Sequence, residues 1–138
     1  MTGGWQSHLN RTERWYGRLI AAQSEDDKLD FLYAFFESSF AFRDWLIDTA
    51  AVTEQEMNDL FLSHVELRLN RDIANSLKHH SIKRPSQEQP PCIASEYAPE
   101  RPTFGTDRRL VVLSEGKTYD AIDLAKCCLD TWREYTRL

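Results

Sequence analysis

No apolar run in these 138 residues approaches the roughly 20 that a bilayer-spanning helix needs, and Met1-Thr2-Gly3-Gly4-Trp5 lacks the apolar stretch of a signal peptide. The expectation is a cytoplasmic protein with no membrane partner. Glycine is scarce: the five present are scattered, so there is no Gly-rich loop to cradle the phosphates of ATP or a dinucleotide. The three cysteines, Cys92, Cys127 and Cys128, form no C-x-x-C pair, which fits a reducing compartment better than a disulfide framework. His8, His64, His79 and His80 make neither H-E-x-x-H nor Glu-x-x-His, so no metal and no cofactor are expected. No serine sits in a G-x-S-x-G turn. Basic residues are outnumbered 17 to 22, so the chain has no bulk positive charge of the kind that typical nucleic-acid binders carry.

What is present is an ordinary globular composition, 41% hydrophobic and 28% charged, enough to build a core without staples. The aromatic residues Phe31, Tyr33, Phe35, Phe36, Phe40, Phe42 and Trp45 crowd one segment and predict one centre of packing there. Charge is segregated along the chain. From Glu25 to Asp59 there are ten acidic and two basic residues; from His64 to Arg84 there are five basic, two acidic and three histidines. A locally positive segment in an acidic chain suits an anion, or an acidic surface of a partner or of a second copy.

The apolar spacing predicts a first helix over about Ser7 to Gln23. Ser24, followed by Glu25, Asp26 and Asp27, starts a second that runs to about Ala50, because a serine oxygen caps free N–H groups and carboxylates suit the positive helix end. That helix is apolar around most of its circumference, the pattern of a central helix. Arg43 interrupts its apolar sector and calls for a partner or an escape to water. Thr53-Glu54-Gln55-Glu56 is a capping box that opens a short helix, which either stops near Ser63 or bends into the next one. All five prolines fall between Ser81 and Asp107, a long loop or arm. Arg109-Leu110-Val111-Val112-Leu113 is the best strand, able to pair with Cys92–Tyr97 or with the stretch around Tyr119. Asp120 caps a last helix with Ile122, Leu124, Ala125, Leu129 and Trp132 on its apolar side. The predicted fold is mainly α: a bundle of four to five helices in one domain over 1–138, with a small β-hairpin before the C-terminal helix and a Pro-rich arm at about 81–107.

The chemistry gathers in Arg71-Asp72-Ile73-Ala74-Asn75-Ser76-Leu77-Lys78-His79-His80. On a helix Arg71, Asp72, Asn75, Lys78 and His79 share roughly a third of the circumference, opposite Leu62, Val65, Leu69, Ile73 and Leu77. Three readings stay open: a solvated face; a polar clamp in which Arg43, Asp44 and Trp45 meet Asp72, Asn75 or His79 across a helix interface; or a site for phosphate or proton transfer. In the last, histidine moves the proton and arginine holds the phosphate, yet Arg71 and His79 stand about 12 Å apart along one helix.

Phe35-Phe36-Glu37-Ser38 leading into Phe42-Arg43-Asp44-Trp45-Leu46, then Arg71 to His79, then an extended stretch and a final helix with Trp132, resemble a bacterial group of small helical proteins related to the HEPN domain superfamily. The resemblance covers the chain from about Asp30 onward. It implies an up-and-down helical bundle that often dimerises and, in many members, a metal-independent ribonuclease of a defence or toxin system, whose signature is Arg, then four to six residues, then His. Arg71-Asp72 looks like the start of that signature, but seven residues separate Arg71 from His79. The resemblance leads to a small helical binding protein, acting as a homodimer or in a phage-defence or toxin–antitoxin assembly with a protein or RNA partner. Asn75, Lys78 and Arg68 are then the phosphate- or partner-binding residues. The alternative is a metal-independent endoribonuclease using Arg71 and His79.

Overall fold

Ser24 ends one helix hairpin turn and begins the next: its hydroxyl accepts from the Asp27 amide at 3.0 Å, and three carboxylates fill the first turn behind it. The computed structural model describes residues 4–49, 52–78, 91–97 and 108–137, with the backbone alone at Lys78, Ser95, Glu96, Tyr97 and Arg108. The elements are α1 (Trp5–Ala21), α2 (Glu25–Asp48), α3 (Glu54–Ser63), α4 (Val65–Lys78), β1 (Cys92–Tyr97), β2 (Arg108–Ser114), β3 (Lys117–Asp120) and α5 (Ala121–Thr136). The protein is mainly α, with a small antiparallel sheet before its C-terminal helix. Both pairings open to β2 are made, so the sheet has three strands in the order β1-β2-β3. Among the described residues no helix is long and apolar enough to cross a membrane.

α2 is the central helix, as its apolar circumference predicts. It packs on α1, α3, α4 and α5, and Leu32, Phe35, Phe36, Phe42 and Leu46 are buried on it. Trp132 of α5 is fully buried with its ring edge-on to Phe42 at 5.0 Å, and its indole N–H donates to the Ser39 hydroxyl at 3.0 Å. The sheet joins the same core through Leu110 and Val112. Burying those side chains drives assembly at roughly 25 cal/mol per Å² of apolar surface removed from water.

The joint between α3 and α4 is a sharp break. His64 closes α3 in an extended conformation (φ −131°, ψ 107°), while its carbonyl accepts from the Leu67 and Arg68 amides to start α4. Arg68 fastens the joint: its guanidinium donates to the carbonyls of Leu62 at 2.7 Å and Phe61 at 2.9 Å, at the end of α3, where the Phe61 carbonyl also accepts from the His64 amide at 3.3 Å. Of the expected apolar line, Leu69 and Ile73 are buried in the core and Leu77 packs against it, but the break leaves the first two members outside. Leu62 is 74% and Val65 46% exposed, whereas Leu67 and Asn70 are buried.

α1 is held to α2 by a small polar ring. His8 Nε2 lies 2.7 Å from the Ser38 carbonyl, which can only accept, so Nε2 carries the proton. Thr12 donates its hydroxyl to the His8 carbonyl at 3.1 Å and in turn accepts from Ser38 at 2.8 Å. His8 also stacks on Trp45, 5.2 Å between centroids.

Candidate functional site

Antiparallel pairing decides which hairpin residues meet α4. Directly opposed residues point to the same side of a sheet, and alternate residues along a strand do too. Val112 opposes Tyr119 and Ser114 opposes Lys117, so Leu110, Val112, Ser114, Lys117 and Tyr119 share one face. Leu110 and Val112 are in the core, with Tyr119 packed against it, so this face looks onto the helices. Towards the hairpin tip it turns polar. The tip is a two-residue turn with left-handed φ at both Glu115 (51°) and Gly116 (76°), the conformation that matches the twist of paired strands.

Where that polar end meets α4 there is a cleft of about 260 Å³, lined by Val65, Arg68, Leu69, Arg71, Ser114, Glu115, Lys117 and Tyr119. Three cations face one carboxylate. Arg68 and Arg71 are three residues apart on α4, which places them on neighbouring turns of one face. Each arginine is anchored at one edge: Arg68 on the α3 carbonyls, and Arg71 through Nε to Asp72 Oδ1 at 3.1 Å. Their other N–H groups, and the Lys117 ammonium, have no partner among the described residues. Ser114 is 8% exposed and lines the cleft from the strand side. The cleft is thus a set of convergent donors held by secondary structure, which can hold an oxyanion.

Of the residues singled out in the sequence, Arg68 and Arg71 come together here. Asn75 is exposed a turn further along α4. Lys78 ends the helix, and His79 lies outside the described residues, as does His80. Asp72 is buried at 7% exposure beside Arg71 and not on a solvated face. Arg43 finds Asp44 at 3.0 Å and Glu54, from the first turn of α3, at 3.8 Å. Lys117, Tyr119, Ser114 and Glu115 escaped the sequence reading. A two-residue hairpin would have placed the first three on one face, but nothing in the strand pattern says that α4 covers it.

Three other groups with chemical potential are engaged elsewhere. His8 and Ser38 are 3.4 Å apart, yet Nε2 already carries its proton and cannot take one from the serine, so they are no nucleophile–base pair. Burial and the Glu66 carboxylate push both the Cys127 and the Cys128 thiol up, away from the reactive thiolate, and Cys128 donates to the Glu66 carbonyl. His64 Nδ1 sits 3.2 Å from Glu66, whose carboxylate also accepts from Thr131. Among the described residues no group of three or more His, Cys, Asp or Glu side chains is arranged to hold a metal ion.

No protein-family model, no curated protein and no solved structure matches this chain. The chemistry of the site therefore rests on its own residues.

Proposed function

We propose that this protein works by binding, through the cleft between α4 and the β2–β3 hairpin, an oxyanion carried by its ligand. The observation that carries this reading is the convergence of Arg68, Arg71 and Lys117 on one small cleft of a chain whose net charge is −5. Both arginines are pre-positioned by bonds to the protein, so little side-chain freedom is lost when the remaining N–H groups engage an anion. The setting is a cytoplasmic HEPN-like helical protein, acting as a homodimer or inside a larger defence or toxin–antitoxin assembly. The exposed Leu62 and Val65 beside the cleft support that part, since apolar side chains next to a charged site favour a covering partner.

The test compares the protein with its Arg71→Gln and Lys117→Gln variants in a titration with sodium phosphate and sodium sulfate, followed by amide shifts of the hairpin. Saturable shifts at residues 114–119, weakened about tenfold or more in each variant, are expected. Shifts spread evenly over the surface would remove the cleft. Mixed RNA incubated with the protein in EDTA should stay intact; cleavage that is lost in both Arg71→Ala and His79→Ala would replace the binding reading with a metal-independent endoribonuclease.

A further inference from the structure

Three features of the cleft narrow the anion, given the oxyanion reading above. The first is valence: three cationic side chains against Glu115 leave a surplus of two positive charges, which Asp72, bonded to the back of Arg71, draws down towards one, so the cleft stays net positive. A phosphomonoester carries about −1.5 to −2 at pH 7, whereas a carboxylate or a phosphodiester carries one charge. The second is direction. Arg68 and Arg71 approach from α4, and Lys117 and the Ser114 hydroxyl approach from the sheet. A monoester has three non-bridging oxygens to meet donors from both walls; a diester has two and must let a chain leave at both ends. The third is size: about 260 Å³ lies below the roughly 300–1,000 Å³ of sites that enclose whole small molecules. Such a cleft holds the end of a ligand.

We propose that the cleft is a site for the terminal phosphate of a phosphomonoester, with Arg68, Arg71 and Lys117 neutralising it, Ser114 donating its hydroxyl to one oxygen, and Tyr119 walling the group that bears the phosphate. Glu115 repels a second anion, and it accepts from a hydroxyl or amine carried beside the phosphate. A phosphorylated side chain and a nucleoside 5′-monophosphate present this same end group.

The experiment titrates the full chain separately with methyl phosphate, dimethyl phosphate and acetate, reading the amide shifts of residues 114–119. Methyl phosphate binds at least about tenfold more tightly than either of the others, Ser114→Ala weakens it about threefold or more, and Lys117→Gln about tenfold. Far-ultraviolet circular dichroism of both variants matches the parent, so the loss reports the site and not folding. O-phosphoserine binding more tightly than a nucleoside 5′-monophosphate assigns the end group to a protein side chain, and the reverse order assigns it to a nucleotide; either supports the site. Equal affinity for methyl and dimethyl phosphate overturns the monoester assignment while the oxyanion reading stands. No saturable shift with any of the three removes both.

Discussion

His8 shows how much a single side chain can depend on its surroundings. It is buried between α1 and α2, its Nε2–H is spent on the Ser38 carbonyl, and its Nδ1 is enclosed without a hydrogen-bond partner. Protonation would place a charged N–H there with nothing to accept it, and burial, helped by nearby Arg11, holds the folded pKa below the ordinary 6.5. Below about pH 6.5 the unfolded chain therefore binds the proton that the folded chain refuses, so stability is kept above that pH and lost as pH falls through it. Urea melts at pH 7.5 and 5.5 should show this loss, at a slope of up to about 1.4 kcal/mol per pH unit, and His8→Leu should flatten it. An equal pH dependence in the variant would assign the effect to other groups. No spacing in the sequence marks His8, because its partners Thr12 and Ser38 are ordinary small polar residues until α1 lies against α2.

At the scale of elements, the starts of helices were legible and their relations were not. Ser24, Thr53 and Asp120 cap where their sequence context predicts, each hydroxyl or carboxylate accepting from the amide three residues on. Capping is local, so sequence encodes it directly. The sequence does not decide between a stop and a bend at the α3–α4 break, since the break depends on Arg68 reaching back six and seven residues to two carbonyls. Arg68→Ala should cost about 1–2 kcal/mol in a thermal or urea melt, whereas Lys117→Gln should stay within about 0.5 kcal/mol of the parent. Similar costs for both would mean that Arg68 does not fasten the joint. Arg71 and Arg68 were legible as a basic face of one helix. The other half of the cleft was not, because it is contributed by strands some forty residues later.

Across the whole molecule, the aromatic crowding of α2 was a sound guide to the centre of the fold, since a helix apolar all round has nowhere to go but inside. The C-terminal helix closes over it with buried apolar side chains and with a long-range hydrogen bond that no local pattern announces, from Trp132 to Ser39. Trp132→Phe keeps most of the ring contact with Phe42 but strips the Ser39 hydroxyl of its donor in a buried place, with an expected loss of about 1–3 kcal/mol by urea melt. Adding Ser39→Ala should recover part of that loss. If the double variant is no better than the single one, volume and not the hydrogen bond accounts for the cost.

The sharing of Arg68 between the α3 carbonyls and the cleft has a consequence for how occupancy is felt elsewhere. One guanidinium is both a rivet of the backbone and a wall of the cleft. A ligand that immobilises its free edge also steadies the last turn of α3, and by reciprocity anything that clamps that turn makes the ligand bind more tightly. Leu62, whose carbonyl the rivet holds and whose side chain stands 74% exposed, is then the place where a covering protein would sense whether the cleft is filled.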